Sequence, residues 1–132
     1  MKLDMDLLRE VLLHIEENAD RVHSDLSDIS IQGWTQEQIA YHVVLAAGDD
    51  LIKATIDELP DDEDDELVFV SYSVHRLTMR GHDFLASIRE PTNWEAIKAG
   101  TKKIGSYGVR AAVQFAEAYI KMKIVEHTGV PL

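Results

Sequence analysis

The side chains that could do chemistry in this chain are six histidines, twenty-four carboxylates and scattered hydroxyls, because cysteine is absent from all 132 residues. His14 and Glu17 have a spacing that can hold a metal ion on a helix, but no HExxH pattern supplies further ligands. Ser71, Ser73 and His75 alternate as residues on one face of a strand do, yet no acid, oxyanion loop or nucleophile elbow accompanies them. An exposed strand face is the simpler interpretation. We therefore predict no catalytic residue, no cofactor and no metal site.

A run of six acidic residues at positions 61–66 is the most highly charged segment of the chain. A calcium-binding EF-hand loop needs glycine at its sixth position and glutamate at its twelfth. Counted from Asp61, those positions hold Glu66 and Tyr72, so the pattern fails. The run is predicted to be a solvated charged turn. A weak adventitious cation site and phosphate mimicry toward a nucleic-acid-binding partner are the alternatives.

The net charge of −11 is unevenly distributed along the chain. Residues 1–66 include nineteen acidic and four basic residues, whereas residues 67–132 include five acidic and nine basic ones. Tight binding to duplex DNA usually depends on a basic surface that releases counterions, and the first half lacks one. Solubility explains a high net charge in any acidic protein, and a negative surface facing a partner is the alternative.

Three features of the sequence predict where the protein is found. The absence of cysteine fits the reducing cytoplasm. No stretch approaches the roughly 20 apolar residues that cross a membrane. The acidic residues within positions 1–6 argue against a signal peptide. We expect a cytoplasmic protein that does not associate with membranes.

The elements that must position these residues follow from the spacing of apolar side chains. Helical periodicity predicts five helices, at residues 5–17, 36–48, 79–89, 94–103 and 109–126. The predicted caps are Asp4, Thr35 in a capping box with Gln38, Thr78 and Asn93. Alternation predicts strands at 51–56 and 67–74, which form a β-hairpin around the acidic run, and a very short strand at 29–31.

The order of these elements predicts the fold class. A helix that leads directly into a two-stranded hairpin is typical of the winged helix-turn-helix, an α+β fold. Residues 36–48 would be the recognition helix and the hairpin the two-stranded wing, while the second helix is reduced to the polar stretch 19–28. We predict a single domain, in which a C-terminal helical extension, residues 91–132, packs on a winged-helix-like core, residues 1–90.

Three stretches also resemble a known family: residues 1–17, residues 33–45 with 51–54, and residues 77–85 with 88–89 and Trp94. Together they resemble domain-of-unknown-function family 2513, a winged-helix-like group common in phages and prophages. The resemblance spans nearly the whole chain and implies this fold and a phage or prophage context, but no catalytic residues. Such proteins usually carry Ala-Gly where Asp49 and Asp50 stand here. An aspartate must therefore make the left-handed helix stop that glycine favours.

The predicted recognition helix has no formal charge between Glu37 and Asp49. At 100° per residue, Ile39, Val43 and Ala46 point toward the core, and His42 borders them as an expected hydrogen-bonded core histidine. The outward residues are the candidate partner-binding residues Glu37, Tyr41, Val44 and Leu45. Three interpretations remain open for this face: cover by the C-terminal helices, an interface with a partner or a second copy, or DNA readout.

From these observations we expect a non-enzymatic regulatory or interaction protein of phage or prophage type. It would bind a protein partner, or itself as a homodimer, through the apolar recognition helix and acidic surface. The alternative is a DNA-binding transcriptional regulator of the helix-turn-helix class, which rests on fold order and family analogy. The acidic wing disfavours it, so the Arg and Lys residues of 76–110, or a dimer, would have to supply the phosphate contacts.

Overall fold

The computed structural model describes residues 1–60, 68–103 and 108–129, and the acidic run 61–66 lies outside them. In these residues the fold is α+β, with five helices and a two-stranded antiparallel sheet. The elements are α1 (Met5–Asn18), α2 (Gln36–Gly48), β1 (Ile52–Pro60), β2 (Val68–Leu77), α3 (Met79–Ile88), α4 (Pro91–Lys103) and α5 (Val109–Thr128). The chain divides into two compact units, Met1–Gly81 and His82–Leu132. The division into a core of residues 1–90 and an extension stays a prediction.

Helix α1 forms as its sequence predicts. The carboxylate of Asp4 accepts a hydrogen bond from the backbone N–H of Leu7 at 3.1 Å, which satisfies one of the free donors of the first turn. The apolar stripe of α1 is fully buried against α2 and β2 and consists of Leu7, Leu8, Val11, Leu12 and Ile15. The burial of these five large aliphatic side chains contributes strongly to the stability of the first unit.

The predicted β-hairpin is confirmed, although its strands are longer than the alternation indicated. Strands β1 and β2 pair antiparallel from Ile52 opposite Leu77 to Pro60 opposite Val68. Strand β1 also includes polar residues such as Asp57 and Glu58, because the backbone ladder forms regardless of the side chains and both faces of the strand are exposed here.

The prediction of a short strand at residues 29–31 is wrong. Leu26, three residues earlier, forms the bridge to Val74, through N–H···O=C bonds of 3.0 and 2.9 Å. Ser24 also donates its backbone N–H to the carbonyl of His75 at 3.2 Å. The chain then leaves β2, since the N–H of Ile29 donates to the phenolic oxygen of Tyr72 at 3.1 Å instead of to a backbone carbonyl.

The burial of the Tyr72 hydroxyl predicts a loss of stability in alkali. Burial raises the pKa of Tyr72 above its ordinary value of 10.0, the bond from Ile29 lowers it, and the charge of Asp28 raises it. The unfolded chain therefore loses the tyrosine proton first, and the stabilisation, complete below pH 10, is lost as the pH rises further. Denaturant titrations should show a steeper fall of the free energy of unfolding above about pH 10 than in Tyr72→Phe. Equal slopes in the two proteins would contradict this role.

The end of α2 uses aspartate where glycine is usual, as expected. Asp50 has a φ of 58°, in the left-handed region. Its N–H donates to the carbonyl of Ala47 at 3.1 Å, and the N–H of Leu51 donates to Ala46 at 2.9 Å. These two bonds form a Schellman motif, in which a left-handed residue reverses the chain and satisfies the last helix carbonyls. The buried Leu51 follows and leads into β1.

The second unit contains the helix pair α4 and α5, which pack against each other. Helix α4 begins at Pro91, so the prediction that Asn93 caps it is wrong. Proline suits the first helical position because its missing N–H would have no partner there, and the N–H of Trp94 already donates to the carbonyl of Glu90 at 2.9 Å. The phenyl ring of Phe115 lies over Gly100, where a Cβ atom would overlap it. None of the described helices combines the length and apolar character needed to cross a membrane.

Candidate interaction surface on helix α2

Helix α2 begins at the predicted capping box. The hydroxyl oxygen of Thr35 accepts the N–H of Gln38 at 3.1 Å, and the side-chain oxygen of Gln38 accepts the N–H of Thr35 at 2.9 Å. These reciprocal bonds determine where the helix starts and therefore which residues of 36–48 face outward. The helix contacts α1, β1 and β2.

The inner face of α2 is as predicted, and it includes a buried histidine. Ile39, Val43 and Ala46 are inaccessible to solvent, and His42 is 1% exposed. Nδ1 of His42 donates to the carbonyl of Gln38 at 2.8 Å, while Nε2 accepts the backbone N–H of Asp4 at 2.8 Å. The carbonyl can only accept and the N–H can only donate, so the geometry requires the neutral ring with its proton on Nδ1. His42 thus joins α2 to the start of α1 and is not available as a ligand.

The four candidate partner-binding residues form the outward surface, which we call the α2 face: Glu37, Tyr41, Val44 and Leu45. Glu37 is exposed, and the other three are half-buried. The ring of Tyr41 lies edge-on to His42, with ring centroids 5.7 Å apart. A half-buried aromatic beside two aliphatic side chains offers apolar area for contact, but no cation that could read a DNA base. Partner binding by these four residues stays a prediction.

Two of the arginines considered for phosphate contacts are held within the first unit. Arg80 donates through Nη2 to the carboxylate of Asp49 at 3.0 Å and through Nε to the Asp49 carbonyl at 3.1 Å. Because Asp49 ends α2, this fork joins the helix terminus to the start of α3. Arg76 donates to the carbonyl of Val22 at 3.0 Å. Both side chains therefore have structural contacts that would compete with a phosphate.

The alternation of Ser71, Ser73 and His75 does not continue through the strand. Lys53 pairs with Arg76 and Ala54 with Val74, so His75 is the extra residue of a β-bulge. A bulge reorients the following side chains, and His75 is buried instead of lying on an exposed face as expected. The sequence shows no signal for this, because a bulge depends on the register of two strands.

The side chains around this bulge are paired in a way that does not form a catalytic triad. Nδ1 of His75 donates to the carbonyl of Ser24 at 2.7 Å, and its Nε2 lies 2.9 Å from the hydroxyl of Thr55. Ser73 instead donates its hydroxyl to the carboxylate of Asp25. The ring of His23 stacks on His75 with centroids 3.8 Å apart. In the described residues, no group of three or more histidines and carboxylates is placed to hold a metal ion.

Two similarities to known proteins complete the description. The sequence model of a family described as "Hypothetical protein (DUF2513)" matches residues 2–107. An uncharacterized protein of Haemophilus influenzae is 33% identical over 102 residues, which cover 77% of this chain and 80% of that protein. No solved structure matches the chain. Helix α5 lies beyond the residues that the family model matches.

Proposed function

The chain belongs to the DUF2513 family of hypothetical proteins, and we propose that it is a non-enzymatic, winged-helix-like interaction protein that binds a protein partner through the α2 face. The order of α1, α2 and a β-hairpin supports the winged-helix proposal. The segment at Leu26 adds a short third strand position beside β2, as the first strand of a winged helix would.

The observation that carries the proposal is the chemistry of the α2 face. Tyr41, Val44 and Leu45 are neighbours on one side of a helix whose residues 38–48 carry no formal charge. Aromatic and aliphatic side chains of this kind are enriched at the centres of protein interfaces, whereas formal charges are depleted there. Glu37 and the acidic character of residues 1–66 favour a partner with an apolar patch bordered by basic residues.

DNA binding in the manner of a helix-turn-helix regulator is the second candidate. Its support is the same order of elements, but the exposed side of α2 lacks the Arg or Lys that usually reads guanine. Arg76 and Arg80 have structural contacts, and Lys98 is paired with Glu95 at 3.1 Å, so a phosphate would have to compete with these interactions. Fluorescence anisotropy with mixed duplex DNA across a salt series tests this candidate. Binding that weakens steeply with salt would favour it over partner binding.

The cellular context is also part of the proposal. We propose a cytoplasmic protein of phage or prophage origin, because the chain has no cysteine and resembles a group common in those elements. An interaction domain suits that context, since a small protein without a catalytic site can act by occupying a surface of another protein.

A photo-crosslinking experiment tests the α2 face directly. A photoreactive phenylalanine analogue in place of Tyr41 should yield one discrete adduct in native cells, and Val44→Arg should abolish it by placing a charge in the apolar centre. The same analogue at Met79, which is 76% exposed on α3, is the control and should give no such adduct. A product of twice the 14.9 kDa chain mass would indicate self-association through α2.

A substitution on the α2 face should not disturb the fold. Tyr41→Arg should leave the thermal midpoint within a few degrees of the original, because the side chain is half-buried and the arginine stem can lie along the surface. Equal crosslinking at positions 41 and 79, or an adduct that survives Val44→Arg, would overturn partner binding through this face.

A further inference from the structure

The end of α5, from Lys121 onward, has little cover in the described residues. All the buried residues of this helix lie between Val109 and Ala116. From Lys121 to Gly129 every residue is exposed except the half-buried Lys123. The 20 residues of α5 span about 30 Å, against about 20 Å for the 13 residues of α4, its packing partner in the second unit. Helix α5 is therefore about two turns longer than α4, and α4 cannot cover those turns.

These exposed turns carry large apolar side chains in a regular pattern. Apolar residues recur at spacings of four and three along one stripe of α5, at Ala111, Phe115, Ala118, Met122 and Val125. This is the a and d spacing of a coiled coil. At 100° per residue the stripe lies opposite the buried face that contains Val109, Val113 and Ala116.

Only the second part of this stripe is open to a partner. Phe115 packs over Gly100 of α4 and is half-buried. Ala118 is exposed, and Met122 and Val125 are 48% and 39% exposed. Exposed apolar side chains at a and d positions are the usual mark of a seam between two helices. We call Ala118, Met122 and Val125 the α5 seam.

The charges beside the seam indicate what covers it. Lys121 occupies a g position and Glu126 the following e position, which face each other across a parallel two-stranded coiled coil. Two copies in register would form this pair twice, whereas antiparallel helices would place lysine opposite lysine. Glu126 lies 3.7 Å from Lys123 of its own chain and stays 54% exposed, so its carboxylate can reach a second chain.

We propose that two copies of this chain associate through the α5 seam as a short, parallel coiled coil, with Lys121 of each copy paired to Glu126 of the other. Packing on α4 orders the first half of α5 before association, which lowers the entropic cost of binding. The seam is short, so we expect a weak dimer that forms at high protein concentration. The residues involved differ from those of the α2 face.

Sedimentation equilibrium from about 5 to 500 μM tests the proposal, with two adjacent residues as a matched pair. Val125 and Ile124 are 39% and 40% exposed, but only Val125 lies in the seam. Val125→Lys should raise the dimer Kd by tenfold or more, and Ile124→Lys should change it by less than about twofold. A monomer at every concentration, or equal effects of the two substitutions, would overturn the proposal.

Charge reversal tests the parallel arrangement. Lys121→Glu and Glu126→Lys should each raise the Kd about fivefold at low salt, and the double variant should restore it. Circular dichroism of each variant checks that α5 stays helical. Single reversals without effect would exclude the parallel pair, because only that arrangement places the two residues together.

A third comparison separates this proposal from the α2 face. Tyr41→Arg should leave the dimer Kd unchanged, whereas Val125→Lys should leave crosslinking at position 41 unchanged. A dimer that Tyr41→Arg abolishes and Val125→Lys does not would assign self-association to α2 and overturn the α5 proposal.

Discussion

Gly81→Ala should lower the free energy of unfolding by about 3 kcal/mol, although glycine-to-alanine changes within helices usually stabilise. A Cβ atom at Gly81 would overlap the backbone carbonyl oxygen of Leu51. The backbone fixes the position of a Cβ atom, and the atom that it would meet also belongs to the backbone, so no change of rotamer can relieve the overlap. Helix α3 would have to move away from the start of β1.

The surroundings of Gly81 explain why such a shift is costly. The carbonyl of Leu51 accepts the N–H of Thr78 at 3.0 Å, and the hydroxyl oxygen of Thr78 caps α3 by accepting the N–H of Gly81 at 3.0 Å. The hydroxyl also donates to the carbonyl of Asp50. The two hydrogen bonds from Arg80 to Asp49 lie in the same region, where the end of α2 meets the start of α3. Moving α3 would disturb all of these bonds together.

Urea denaturation followed by circular dichroism measures this effect, and Gly48→Ala is the matched control. Gly48 is also helical, but a Cβ atom there would meet nothing within 4 Å. The control should leave stability unchanged or raise it by up to about 1 kcal/mol. The same sign of change in both variants would contradict the close approach of Gly81 to Leu51.

His42→Ala should also cost about 3 kcal/mol. The substitution leaves a cavity at a site that is 1% exposed, and it removes the acceptor of the Asp4 N–H as well as the donor to the Gln38 carbonyl. Since the bond from the Asp4 N–H joins the beginning of α1 to α2, the loss should appear as a lower urea midpoint for the whole first unit.

Two comparisons separate the causes of this loss. His42→Phe retains most of the ring volume without the two hydrogen bonds, so it should recover part of the stability. His82→Ala, at an exposed position of α3, should change stability by less than about 0.5 kcal/mol. A loss for His42→Ala no larger than that for His82→Ala would show that the ring contributes little.

Much of the candidate surface was predictable because its signals are local. The capping box of Thr35 and Gln38 and the 3.6-residue period of α2 depend on residues within a few positions of one another. These signals predicted the buried Ile39, Val43 and His42, and therefore which side of the helix faces outward. What the outward side binds is not a local property, and the composition of the face alone suggests its partner.

Local signals predict the helices, the caps Asp4, Thr35 and Thr78, and the two strands of the hairpin, because each signal depends on residues close together in the chain. The left-handed stop at Asp50 follows from the resemblance to a family that usually carries glycine there. Tertiary packing selects Leu26, rather than residues 29–31, as the partner of Val74, and it places the bulge that buries His75. The bridge joins segments almost 50 residues apart, and the bulge forms between strands whose facing residues are about 20 apart. Both depend on how α1, α2 and the hairpin pack together. Local spacing carries no information about such a register, and the three-dimensional packing is what selects it.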